Sequence, residues 1–130
     1  MPSVLFEMMS RTLIPTPQEV TPMGPTGRKI HLEFFEGLSH RFAAETTERP
    51  DTWEDAEVRA MYRIFACVGA IWTYPARAQL GALEVVSPAE AAVDLPFVEE
   101  AFNARGWAVE VLPDPDSQDG SLWRFLPIAT

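Results

Sequence analysis

The sequence has little of several features that would place it in a known class. It contains one cysteine, Cys67, so no intrachain disulfide can form and the disulfide-stapled extracellular class is excluded. It contains two histidines, which leaves few side chains for metal binding or acid–base catalysis. The longest strongly apolar stretch, residues 60–74, includes Arg63 and is too short to cross a bilayer. These absences predict a protein of a reducing compartment, the cytoplasm, with no membrane partner.

Sequence motifs of catalysis are also missing. The chain has no G-x-S-x-G nucleophile turn, no glycine-rich phosphate loop, no dinucleotide-binding fingerprint and no zinc-ligand spacing. Cys67 lies in the most apolar stretch without a histidine neighbour in sequence, where a thiol is expected to be inert. We therefore predict no cofactor and no catalytic residue, and leave enzymatic activity open.

Basic residues are scarce relative to acidic ones. Ten Lys and Arg oppose 19 Asp and Glu, which gives a net charge of -9. The imbalance is strongest toward the C-terminus, because residues 66–130 hold three basic and nine acidic residues. An acidic surface repels the phosphates of nucleic acids and of anionic lipids. Binding to duplex nucleic acid or to a membrane surface is therefore not expected.

Length and composition predict one domain, residues 1–130. The chain is 47% hydrophobic and 22% charged, which is typical of a globular protein. Four of its 12 prolines, at positions 15, 17, 22 and 25, fall within residues 15–27. That segment is predicted to be an extended arm lying over the domain surface. The alternative is an arm that docks on a partner chain, including a second copy in a homo-oligomer.

The clearest helical pattern spans residues 52–74. Thr52 followed by Asp55 three residues later is typical of a capping box. Two adjacent apolar stripes follow, which predict a buried central helix that ends before Pro75. The first stripe is Val58, Met61, Phe65, Val68 and Trp72, and the second is Ile64, Cys67, Ile71 and Tyr74.

Two weaker helical patterns precede it. Residues 3–14 predict a short helix capped by Ser3, with a strand over residues 4–8 as the alternative. Residues 28–46 place Ile30, Phe34, Leu38 and Phe42 at four-residue spacing, which predicts a helix. A strand over residues 28–36 is the alternative, because Ile30, Leu32 and Phe34 also fit an alternating pattern.

Residues 76–128 predict a series of small elements. They are a short helix, a strand at LEVV, a helix after Ser87, a helix from Asp94 to Arg105, and two strands joined by the acidic sequence PDPDSQDG. The fold class is thus α+β, mainly helical, with a C-terminal β-hairpin. This order resembles that of winged helix-turn-helix domains, in which the second paired helix and the wing contact DNA. Here those two elements are acidic, which favours a protein-binding derivative.

The leading functional hypothesis is a non-enzymatic, acidic protein-binding module that recognises a basic partner surface, such as an adaptor, an inhibitor or an immunity-type protein. Carboxylates would attract the partner and an apolar side chain would anchor it. The candidate contact residues are Glu99, Glu100, Glu110, Asp114, Asp116 and Asp119, with Trp123 as the anchor.

Two alternatives belong to other functional classes. A winged-helix transcriptional regulator would dimerise through the N-terminal arm and helices and contact DNA through Arg105 and Arg124. A small metal-dependent enzyme would use Glu33, Glu36 and His40, whose spacing places them on one face of a helix.

Overall fold

The structure, a computed structural model, describes residues 3–20 and 24–128. Within these residues the chain forms α-helices and a three-stranded antiparallel sheet, which confirms the predicted α+β class. The helices are α1 (Val4–Leu13), α2 (Pro25–Glu48), α3 (Asp55–Thr73), α4 (Pro75–Gln79) and α5 (Leu95–Asn103), and the strands are β1 (Leu83–Ser87), β2 (Trp107–Pro113) and β3 (Ser121–Pro127). Short 3-10 helices occupy Pro50–Thr52 and Ala89–Val93. None of the helices in the described ranges is long and apolar enough to cross a membrane.

Helix α3 is the central helix that the two apolar stripes predict. Its buried residues include members of both stripes together with Glu57 and Ala60, whereas Tyr74 of the second stripe is 49% exposed. The helix ends at Thr73, with Tyr74 as the C-cap residue directly before Pro75. The predicted capping box is wrong. Thr52 is the last residue of the preceding 3-10 helix, so it does not cap α3. The N-cap residue is Glu54, and its side chain makes no capping hydrogen bond.

Helix α1 confirms the predicted N-terminal helix and its Ser3 cap, so the alternative strand over residues 4–8 is wrong. The Ser3 hydroxyl oxygen accepts a hydrogen bond from the Phe6 amide at 3.2 Å. The Ser3 amide in turn donates to the carboxylate of Glu57, a buried residue of α3, at 2.7 Å. This bond fixes the start of α1 on the central helix.

Helix α2 confirms the helical interpretation of residues 28–46, and the alternative strand over residues 28–36 is wrong. The helix begins earlier than predicted, at Pro25, so the last three residues of the predicted arm are helical. Proline favours the first turn of a helix, where its missing amide proton is not needed. Phe35 and Phe42 contact Phe65 of α3, with ring centroids 5.8 and 5.4 Å apart.

The described part of the predicted arm packs on its own chain. Pro15, Pro17 and Val20 are buried. The indole N–H of Trp107 donates to the carbonyl of Pro15 at 2.7 Å, and both groups lie inside the protein. Residues 21–23 of the arm lie outside the described residues. The contacts of residues 15–20 favour an arm lying over the domain surface rather than one docked on a partner.

The sheet has the strand order β1-β3-β2, with both pairs antiparallel. Strands β2 and β3 form the predicted C-terminal hairpin. One sheet face is buried against the helices, and the Phe125 ring lies 4.7 Å from the Phe102 ring of α5. The core residues on this face are Leu83, Val85, Trp107, Val109, Trp123 and Phe125. The predicted order of elements after Pro75 is present, except that the first of the paired helices is the five-residue 3-10 helix Ala89–Val93.

Two arginines of α3 hold the start of α5. The Asp94 side chain is buried, and its oxygens lie 3.6 Å from Nε of Arg59 and 3.5 Å from Nε of Arg63. Arg59 and Arg63 are four residues apart, so they lie on one side of α3, but the sequence does not reveal this shared partner. The two ion pairs connect α3 to the chain segment that enters α5.

The single thiol provides a test of the core. Burial raises the pKa of Cys67 to about 12, and Arg63 lowers it by a smaller amount. We expect no reaction of the folded protein with a thiol-specific chromogenic reagent at pH 8, and one thiol per chain after unfolding in guanidinium chloride. Rapid labelling without denaturant would contradict this packing.

The same thiol makes the fold sensitive to alkaline pH. The thiol of the unfolded chain loses its proton around its ordinary pKa of 9.0, whereas the folded chain retains the proton up to about pH 12. Between these values the folded state binds more protons, so the free energy of unfolding falls as pH rises. Below pH 8 the group contributes no pH dependence.

Candidate functional site

The outward face of the sheet is the candidate site. Side chains alternate between the two faces of a strand, so each strand that buries one set of residues presents the other set outward. Helices α3 and α5 pack on the buried face, and the outward set faces away from them. This outward set is Glu84, Val86, Ala108, Glu110, Leu112, Leu122, Arg124 and Leu126.

A charged row crosses the three strands. The register pairs Arg124 of β3 with Glu84 of β1 on one side and Glu110 of β2 on the other. The guanidinium nitrogens of Arg124 lie 3.7 Å from the Glu84 carboxylate and 3.5 Å from the Glu110 carboxylate. The Nε of Arg124 is buried and has no hydrogen-bond partner within residues 3–20 and 24–128. One cation is thus shared by two carboxylates, and the row retains a net negative charge.

An apolar row lies next to the charged row, on the side of the hairpin turn. The register places Leu122 opposite Val86 on one side and opposite Leu112 on the other. We call these three residues the outer apolar row. Val86, at the open end, is 69% exposed. The sheet therefore presents a short apolar strip to solvent beside a row of charges.

An acidic turn, residues 114–120, lies beyond the outer apolar row. The Asp114 carboxylate accepts a hydrogen bond from the Asp116 amide at 2.9 Å, and the Ser117 hydroxyl accepts one from the Gly120 amide at 3.1 Å. These bonds order the turn and leave Asp116 and Asp119 exposed. We call Asp114, Asp116 and Asp119 the acidic tip. Within the described ranges no Lys or Arg forms an ion pair with the acidic tip.

The structure divides the predicted contact residues between two sides of the molecule. Glu110 and the acidic tip both belong to the hairpin of β2 and β3. Glu99 and Glu100 are exposed on α5, which packs on the opposite face of the sheet. The predicted residues therefore form two separate acidic surfaces rather than one.

Trp123 requires a correction. It is 1% exposed and belongs to the hydrophobic core, so its ring is not available as a surface anchor. Leu122 and Arg124, its neighbours in sequence, point outward instead. Sequence reasoning missed Glu84 and the outer apolar row. The alternation of residues in LEVVS and SLWRFLP indicates which side chains share a face of each strand. It does not indicate which strands pair with each other.

The residues named for the two alternative functions are placed as follows. Arg105 donates to the carbonyl of Ile14 at 2.9 Å and to the carboxylate of Glu19 at 3.0 Å, and Arg124 is shared by two carboxylates. Both cations are therefore already engaged. Among the residues that the structure describes, no group of three His, Cys, Asp or Glu side chains could hold a metal ion. The predicted metal set, Glu33, Glu36 and His40, is exposed on α2.

Comparison of the chain with protein-family models, with curated proteins and with solved structures finds no match. The assignment of a site therefore depends on the geometry of this chain alone. The outward sheet face offers carboxylates and apolar side chains on an open surface. Such a surface is suited to contact with another macromolecule.

Proposed function

We propose that this chain is an acidic protein-binding module that recognises a basic protein through the outer apolar row and the acidic tip. The proposal rests on one observation: three apolar side chains form an outward-facing row next to the acidic tip, whose carboxylates form no ion pair with a Lys or Arg of the described residues. The partner chemistry that fits this arrangement is a cationic rim around an apolar contact. An adaptor or an inhibitor would use such a surface.

The acidic tip accounts for attraction and selectivity. With a net charge of -9, the chain attracts cationic proteins and repels acidic ones before contact. Screening limits this attraction to about 8 Å at physiological ionic strength, so the carboxylates must lie close to the contact surface. The acidic tip meets that condition because it adjoins the outer apolar row. Each exposed ion pair adds only about 0–1 kcal/mol, so charge alone does not explain tight binding.

The outer apolar row supplies the affinity that the charges lack. Full burial of one exposed Val or Leu side chain contributes about 1.5–3 kcal/mol. Val86 is mostly exposed and gains the most from a partner surface, whereas Leu112 and Leu122 are already partly buried. At protein interfaces, charged groups commonly determine which partner is selected, and a small buried apolar contact supplies most of the affinity.

The experiment that tests the proposal uses the full chain as bait in a lysate of its native host. We expect a protein with a basic surface to be retained at low ionic strength and released as salt is raised, with identification by mass spectrometry. Treatment of the lysate with nuclease should leave the capture unchanged. Retention that depends on nucleic acid, or a retained protein with an acidic surface, would contradict the proposal.

Substitution of Val86 by threonine tests the apolar contribution. The side chain keeps its shape and its preference for a strand but gains a hydroxyl, so we expect the affinity for the captured protein to fall about 5–10-fold. Titration calorimetry measures the change. Val93→Thr is the matched control, because Val93 is 66% exposed but lies in the 3-10 helix Ala89–Val93. Equal losses in both variants would rule out a specific role for the outer apolar row.

A further inference from the structure

A second surface of the molecule, unrelated to the sheet, is an apolar groove between α1 and α2. Both helices pack on α3 but make little contact with each other. Two neighbouring cavities of about 320 and 240 Å³ lie along this groove, and both are lined by Thr12 and Leu38. The other lining residues include Leu5, Met8, Phe42 and Trp53 at one end and Ile30, Phe34 and Trp72 at the other.

Large apolar side chains remain exposed along this groove. Ile30 and Phe34 of α2 are 60% and 57% exposed, and Leu5 and Met8 of α1 are also exposed. Single exposed apolar residues are ordinary, but a contiguous set that borders a groove is typical of an interaction surface.

The charge pattern of α2 favours a second copy of the same helix as the occupant. The helix has Arg28 and Lys29 near its start and Glu45 and Glu48 near its end. Two such helices that pack antiparallel place the basic start of each beside the acidic end of the other. A net acidic or net basic partner would not match both ends of the helix. A second α2 matches both.

The centre of α2 fits the same arrangement. Gly37 is exposed near the midpoint of α2, and a Cβ added there would have no atom within 4 Å. A glycine allows two helices to approach closely. Glu33 and Arg41 lie four residues before and four residues after Gly37, so a two-fold axis at Gly37 places each Glu33 opposite Arg41 of the other copy.

We propose that the protein forms a symmetric homodimer in which the α2 helices of two copies pack antiparallel about Gly37. In such an isologous interface the same surface is used by both subunits. Ile30 and Phe34 of each copy then cover the groove of the other and become buried. This interface goes beyond the proposed partner binding and leaves the outer apolar row and the acidic tip free. The N-terminal arm, which the sequence offered as a route to oligomers, is not required.

Charge reversal tests the antiparallel register. By sedimentation velocity we expect a dimer for the unmodified chain, and about tenfold weaker dimerisation for Glu33→Arg or for Arg41→Glu, because each change creates two like-charge contacts. The double variant E33R/R41E should dimerise again, since both contacts are restored with opposite sign. Circular dichroism checks that all variants are folded. A chain that stays monomeric at about 1 mM would overturn the proposal, because a dimer weaker than that has little stability. A dimer that neither single reversal weakens would also overturn it.

Site-directed crosslinking tests the position of the axis. Gly37→Cys places two thiols together at the two-fold axis, and mild oxidation should give a covalent dimer within the geometry that disulfides allow. Ala43→Cys is the matched control, because Ala43 is exposed on the other side of α2. The buried Cys67 does not interfere. Equal crosslinking of both variants would overturn the proposed interface. Failure of both variants to crosslink, with a monomeric chain, would also overturn the homodimer and would favour a helix of another protein as the occupant of the groove.

Discussion

Replacement of Trp107 by alanine is expected to lower the free energy of unfolding by about 3–5 kcal/mol, the range for removing a large buried aromatic side chain. Trp107 is fully buried on the core face of the sheet. Its indole N–H also holds the carbonyl of Pro15 at 2.7 Å. The substitution therefore removes core volume and leaves a buried acceptor without its donor. Urea denaturation followed by circular dichroism measures the change.

Two further substitutions separate these contributions. Trp107→Phe keeps most of the apolar volume but loses the donor, so we expect a loss of about 1–3 kcal/mol from the unpaired carbonyl, together with a smaller packing term. Leu80→Ala, at a residue that is 82% exposed, should change stability by less than about 0.5 kcal/mol. A loss below about 1 kcal/mol for Trp107→Ala would show that the arm and the sheet are not packed as described.

Neutralisation of the acidic tip is expected to slow binding of the basic partner. In the double variant Asp116→Asn, Asp119→Asn, two exposed carboxylates beside the contact surface are lost. We expect the association rate constant at low salt to fall about tenfold, because nearby charges steer the encounter. The dissociation rate should change less, since rim charges contribute little once the complex has formed. Stopped-flow or surface-based kinetics at several salt concentrations measures both rates.

A matched variant distinguishes the two acidic surfaces. Glu99→Gln, Glu100→Gln also removes two exposed negative charges, but on the α5 side of the molecule. Since the net charge changes equally, any difference between the two variants reports the position of the contact. We expect the α5 variant to lose less than about threefold in association rate. The opposite ranking would move the partner site to α5.

The main elements of the fold follow from local patterns. Helix α3 could be predicted because its two apolar stripes keep helical spacing over five turns and end at Pro75. The hairpin could be predicted because alternating segments flank a turn rich in Asp, Pro and Gly. The predicted start of α3 was wrong. Thr52 could cap α3 only if that helix began directly after it, but Thr52 belongs to a separate 3-10 helix that begins at Pro50.

The candidate site could be predicted only in part. The acidic tip is local in sequence, so its charge is evident. The outer apolar row is not local, because β1 and β3 are far apart in the chain and their pairing depends on the whole fold. Strand β3 carries apolar residues on both faces, so its alternation does not reveal that Trp123 is buried and that the half-buried Leu122 faces outward. That ambiguity produced the wrong anchor residue.

The burial of α2 could also be predicted only in part from the sequence. Its apolar stripe predicts a helix but not how much of the stripe is covered. Phe42 is buried against α3, whereas Ile30 and Phe34 remain exposed because α1 does not close over them. A periodic pattern specifies which residues share a face, and the packing of other elements decides which part of that face meets solvent.

Nuclear magnetic resonance mapping of the bound partner tests the central claim most directly. Amide chemical shifts of the labelled chain would be followed while the captured basic protein is added. We predict the largest changes at the outer apolar row, Val86, Leu112 and Leu122, and at the acidic tip. Changes confined to α5 or to the groove between α1 and α2, with the hairpin unperturbed, would contradict the assignment of the outward sheet face as the binding site.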